Sequence, residues 1–165
     1  MEEAKTTAQQ KDVPASTLDP LRGVRGWLKF FVIISRYVSP AIFILQYLLA
    51  WIGFVELAKK YPGIIVTGLI ETAVGGFFVW KWIQIAKALQ AVRPGIIRKT
   101  KIWLKLSLGW VILSAPLAFL SGLDAQILLP SVIKGVISGL IGFSLWYSYF
   151  SVSKRVKATY FDWNS

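Results

Sequence analysis

The chain has 165 residues, 55% of them hydrophobic and only 16% charged, well below the roughly 25% charge of an average soluble domain. It contains no cysteine and no histidine, which excludes disulfides, thiolate nucleophiles, Cys or His ligation of metals and haem, and histidine general-base chemistry. The formal charge of +11, from 19 Lys+Arg against 8 Asp+Glu, flanks long apolar runs, so membrane topology and anionic lipid account for it better than nucleic acid does.

Residues 1–21 mix Glu, Lys, Gln, Thr and Pro with almost no apolar content, which predicts a disordered cytoplasmic tail. They lack the apolar stretch of a secretory signal, so the N-terminus is expected to be retained. From Gly26 the composition changes abruptly. A spanning helix needs about 20 mostly apolar residues at about 1.5 Å each, and four segments within 22–151 qualify: about 27–57, 64–82, 102–122 and 128–150. The sequence therefore predicts an all-α, polytopic membrane protein with four transmembrane helices, followed by a basic cytoplasmic tail over 152–165. Pro62 and Pro130 fall at segment starts, where a missing N–H costs nothing, whereas Pro40 and Pro116 fall inside and predict kinks. The first helix is expected to end either near Tyr47 or near Leu57.

Lys and Arg concentrate on one side of these segments, from Arg22, Arg25 and Lys29 through Lys81, Lys87, Arg93, Arg98, Lys99, Lys101 and Lys105 to the C-terminal tail, with only Lys59 and Lys60 opposite. The positive-inside rule then puts both termini and the middle loop in the cytoplasm. Trp27, Trp80, Trp82, Trp103 and Trp146 cluster toward that side as interfacial anchors.

The chain also repeats itself. Trp27-Leu28-Lys29 is followed by Pro40 and Phe43 at the spacing with which Trp103-Leu104-Lys105 is followed by Pro116 and Phe119, and Gly76-Phe77 precedes Trp80 as Gly142-Phe143 precedes Trp146. This pattern fits a parallel two-helix tandem repeat; shared aromatic belts and prolines of unrelated membrane helices fit it as well.

Three ionisable residues interrupt the spans. Glu71 falls about 13 Å beyond Pro62 by helix rise, and an ionised carboxylate near the bilayer centre costs about 2.5–3.5 kcal/mol on insertion scales. It should therefore face the bundle, either as a neutral acid bonded between helices or as a proton- or cation-handling group, with Arg36 or Lys134 as candidate partners. Lys134 and Arg36 also read as snorkelling anchors. Gly68, Thr72 and Gly76, and Ser131, Gly135 and Gly139, recur at the small-xxx-small spacing that lets backbones approach, which predicts close packing of the second helix on the fourth. No phosphate loop, nucleophile elbow or paired carboxylates occur, so no enzyme, metal site or cofactor is expected.

The opening Gly23-Val24-Arg25-Gly26-Trp27-Leu28 and the exit Tyr149-Phe150 with Ser153-Lys154-Arg155-Val156-Lys157-Ala158-Thr159-Tyr160 together resemble the bacterial family called domain of unknown function 2569. Its members look like four-helix inner-membrane proteins with a Gly-Trp-Leu opening and a Ser-x-Arg-Val-Lys-x-Thr-Phe exit; Tyr160 stands where the family usually has Phe and keeps an aromatic anchor there. The resemblance implies a bacterial cytoplasmic-membrane location and carries no activity. Lys154, Arg155 and Lys157 are expected at the headgroups, each worth about 1 kcal/mol against anionic lipid, while the order of the exit residues suggests a docking partner. Together these readings predict a non-enzymatic accessory, assembly or scaffold subunit of a membrane complex, or alternatively a small oligomeric transporter or proton-coupled channel built on Glu71 with Arg36 or Lys134.

Overall fold

In lipid a backbone must satisfy its polar groups internally, so long apolar runs become helices. The computed structural model describes residues 23–160, and every element in that range is helical. The expected disordered tail over 1–21 and the last five residues of the basic tail lie outside the described residues. Four helices are long and apolar enough to cross a membrane: α1 (Trp27–Ala58), α2 (Gly63–Gln90), α3 (Ile96–Phe119) and α4 (Ala125–Val152). A short fifth helix, α5 (Lys154–Thr159), follows directly.

The helices overrun the predicted segments, except at the end of α3, which stops at Phe119 short of the expected 122. At 24 to 32 residues each they are about 36 to 48 Å long, against about 30 Å of hydrocarbon. α1 takes the longer of its two alternatives and runs to Ala58. α4 starts before Pro130 because Asp124 caps it, its Oδ1 accepting the Gln126 N–H at 2.9 Å. Pro130 therefore lies inside the helix, correcting its expected place at the start. Pro116 also lies inside its helix. At Pro40, which cannot donate to the turn before it, α1 opens into a π-helical turn over Ile34–Val38, with the Ser39 N–H bonded to the Ile34 carbonyl. A π-turn is one of the recognised ways a helix absorbs such a defect.

The buried core sits at the basic end of the bundle. Leu28, Phe31 and Val32 of α1, Ile85, Ala86 and Leu89 of α2, Ile96, Ile97 and Leu104 of α3, and Phe150 of α4 form one cluster. The overrunning ends of α2 and α3 supply half of it, which is why hydropathy windows of membrane thickness miss them. α5 closes the cluster: Val156 is fully buried, Tyr160 is 1% exposed, and the Tyr160 hydroxyl donates to the Leu89 carbonyl at 2.7 Å. Ser153 Oγ caps α5 by accepting the Val156 N–H, and Thr159 Oγ1 donates to the Gly23 carbonyl. Ser153, Val156, Thr159 and Tyr160 of the exit thus all have contacts within the chain, and Tyr160, expected as an aromatic anchor, is a core residue.

Away from this end the helices meet in pairs. The Ser39–Ala58 stretch of α1 has no buried residue and packs on α2, and α4 packs mainly on α3. The expected packing of α2 on α4 through small residues is replaced by aromatic rings of α1 seated on α2. A methyl group at Gly68 would stand 2.7 Å from Phe54 Cε2, and one at Gly75 would stand 2.7 Å from Phe43 Cε2. Gly76 lies near the same Phe43 ring, and Thr72 Oγ1 accepts the Trp51 indole N–H at 3.2 Å. Gly139 of α4 meets Val111 of α3, whereas nothing of the described residues approaches Gly135 within 4 Å.

Gly75→Val should lower stability in detergent by about 1–3 kcal/mol through overpacking against Phe43, while Gly135→Ala stays within about 0.5 kcal/mol; thermal melts of the two separate shape-limited from open positions. Tyr160→Phe should cost about 1 kcal/mol at neutral pH for the lost hydrogen bond. Burial holds the Tyr160 phenol above its ordinary range, so its contribution is complete below about pH 10 and is lost as pH rises beyond it. The gap in melting temperature between wild type and Tyr160→Phe should accordingly shrink in alkali.

Candidate functional site

Glu71 lies about 12 Å along α2 from Gly63 by helix rise. It is half-buried, at the edge of the face that carries Gly68 and Thr72. Its neighbours Gly68 and Gly75 turn to α1, and Tyr47 of α1 donates its hydroxyl to the Glu71 backbone carbonyl at 3.2 Å. The Glu71 side chain instead lines a cleft of about 280 Å3 between α2, α3 and α4. Ser114 of α3 and Ser131 and Gly135 of α4 line it too, among valine, leucine and alanine side chains.

A second cleft of about 250 Å3 lies between the π-turn of α1 and the helices facing it, lined by Ser35, Ser39, Trp82, Ser107, Phe143 and Trp146 among others. Val111 borders both clefts, and its side chain stands 2.9 Å from where a Cβ at Gly139 would be. Within the second cleft the Trp82 indole N–H donates to Ser107 Oγ at 3.2 Å. An aromatic cluster stands beside it: the Phe31 ring lies 4.6 Å from Trp146, 4.9 Å from Phe150 and 5.8 Å from Trp82, all edge-on. Such edge-to-face pairs add about 0.5–1.5 kcal/mol each beyond burial.

Neither candidate partner reaches Glu71. The long α1 places Arg36 beside the end of α2, where its guanidinium donates to Gln90 Oε1 and lies over the Tyr37 ring. Gln90 is about 28 Å along α2 from Glu71 by helix rise, which removes an Arg36 pair. Lys134 is exposed and lies outside the Glu71 cleft, although Ser131 and Gly135 on either side of it line that cleft. Among the described residues Glu71 forms no ion pair. Lys154 and Lys157 are exposed on α5 and Arg155 is partly covered, so the helix that buries Val156 turns charge outward.

Of the serines lining the clefts, sequence reasoning singles out Ser131 alone, and for helix packing; it misses Ser35, Ser39, Ser107 and Ser114. Ser35 and Ser39 are spaced i, i+4, and Ser107 and Ser114 i, i+7, so each pair shares a helix face; polar residues repeating on one face of an apolar run were the available signal. Chemically the arrangement offers hydroxyls and one carboxyl to a polar group between helices.

Single cysteines can be placed freely in this cysteine-free chain. Ser131→Cys and Ser114→Cys, on the Glu71 cleft, should react with a small charged methanethiosulfonate reagent on reconstituted protein, whereas Leu104→Cys in the buried core should react at least about tenfold more slowly, as expected for a thiol shut in an apolar core. Equal rates at all positions would contradict an accessible cleft. No family model, no curated protein and no solved structure matches the chain.

Proposed function

We propose that the protein is a non-enzymatic integral membrane subunit that helps to assemble or scaffold a larger membrane complex. Its seat is the bacterial cytoplasmic membrane, with both termini and the α2–α3 loop on the cytoplasmic side. The observation that carries this reading is the Glu71 cleft. A carboxyl in mid-span, opening into a groove between three helices and lacking an ion pair among the described residues, is placed to accept a hydrogen-bond donor or cation from a neighbouring helix. Interhelical polar contacts of this kind give membrane helices specificity, at about 0.6–2 kcal/mol each. The apolar half of α1 beyond Pro40, which packs on α2 and has no buried residue, offers lateral surface to the same neighbour. The positive-inside count and the resemblance to the domain of unknown function 2569 family support the location and orientation.

One observation favours proton or cation transfer as a second reading. Ser35, Ser39 and Ser107 lie in one cleft, Glu71, Ser114 and Ser131 in the next, with Val111 between. Intramembrane acids in such series serve proton relays elsewhere.

Purification in mild detergent of tagged wild type and Glu71→Leu separates the two. The subunit reading expects a stoichiometric membrane partner with wild type that Glu71→Leu loses while remaining folded and monodisperse. A lone chain or homo-oligomer in both, together with proton flux in liposomes that Glu71→Gln abolishes, would overturn it in favour of transfer.

A further inference from the structure

The basic end carries cations for which the described chain supplies no counter-charge. Between Glu71 and Asp124 the sequence has no acidic residue. The three acids among the described residues, Glu56, Glu71 and Asp124, lie at mid-span or at the opposite end, and Glu56 is paired there with Lys59. At the basic end the overrunning ends of α2 and α3 enclose a cleft of about 420 Å3 whose rim holds Lys81, Gln84, Arg93 and Lys99. Its floor is apolar, with Ile85 and Ile96 buried and Trp103 on the wall. None of Lys81, Arg93 and Lys99 forms an ion pair among the described residues. Lys81 is held in place by rings, its Nζ 4.6 Å from the Trp80 centroid and 5.4 Å from that of Trp103. α3 begins at this cleft, directly behind Gly95, so the positive end of its dipole adds to the three cations.

We infer that this cleft binds the phosphate of an anionic phospholipid headgroup, with Lys81, Arg93 and Lys99 as its ligands and Gln84 as a neutral donor. The vertical layout suits a lipid better than a free anion. Lys81 lies about 14 Å before the end of α2 by helix rise and Lys99 about 5 Å into α3, so the cations bracket the headgroup layer while the floor and the tryptophans meet the first carbons of the acyl chains. Trp and Tyr favour that depth. Nucleic acid would have no use for the apolar residues between these cations. The inference concerns a different part of the molecule from Glu71 and stands whether or not a partner subunit exists.

The test is native mass spectrometry of the full chain released from nanodiscs containing phosphatidylglycerol or phosphatidylcholine, with lipid titration in detergent. Wild type should retain phosphatidylglycerol and not phosphatidylcholine. Lys81→Gln, Arg93→Gln and Lys99→Gln combined should weaken phosphatidylglycerol binding on the order of a hundredfold, at roughly fivefold per cation near a membrane surface. Lys29→Gln, Lys87→Gln and Arg98→Gln combined remove the same charge from exposed positions off the cleft and should change it less than about threefold. Equal loss in both triple variants would overturn the inference, because diffuse charge would then suffice, and so would retention in both. Inorganic phosphate competing as well as the lipid would assign the cleft to a free anion instead. Should the cleft triple melt below wild type, Lys81→Arg with Lys99→Arg keeps the charge and must retain phosphatidylglycerol, and failure of that pair to do so at a wild-type melting temperature also overturns the assignment.

Discussion

Two solvents act on this chain, and the hydrophobic effect operates in only one of them. Among lipid tails, burying a leucine gains nothing over leaving it in lipid, whereas in water a buried Leu, Ile or Phe contributes about 1.5–3 kcal/mol. The molecule answers with a division of labour along its length. At the basic end, helix ends longer than the membrane bring Leu28, Leu89, Ile97, Phe150, Val156 and Tyr160 out of water into one cluster. The rest of each helix leaves its apolar side chains to lipid: Ile44, Leu48, Ile52, Leu113 and Ile141 are all more than half exposed.

Within the span, shape takes over from solvent. Phe43 and Phe54 of α1 occupy the places where side chains at Gly75 and Gly68 would be, and Trp51 and Tyr47 reach Thr72 and the Glu71 carbonyl with hydrogen bonds. These contacts fix α1 on α2 and consume the small-residue face. Glu71 is left at the margin of that face, on the cleft that α3 and α4 line with it. The carboxyl's availability is therefore a by-product of how the neighbouring glycines are used.

The four helices were legible because about 20 apolar residues in a row fit a bilayer and little else in a chain this short; the ends of those helices were not. Lys87, Arg98 and Lys99 lower the hydropathy of segments that are nonetheless helical, since an amphipathic end needs only Ile85, Leu89, Ile96 and Ile97 on one side. Small-residue spacing showed that α2 and α4 have faces for close approach and could not say which helix approaches, because that choice depends on the rings of the partner. Register was decisive for Arg36: the length of α1, set by where the chain turns at Lys59 to Pro62, moves it beside Gln90 and away from Glu71. The exit motif read as a membrane-surface tag because Lys154, Arg155 and Lys157 are prominent in sequence; the residues between and after them, Val156 and Tyr160, hold the core.

The hydrogen bond from Thr159 to Gly23 and the burial of Leu28 against Val156 and Tyr160 join the two chain ends that flank the four spans. During synthesis the first span enters the membrane long before residue 160 leaves the ribosome. Until then the core lacks Val156 and Tyr160, and Gly23 lacks its bond from Thr159. Assembly of this fold thus has an intrinsic checkpoint: its core closes only when the chain has been made through Tyr160, so loss of a few residues after Val152 would leave four inserted helices without the clasp that seals that core.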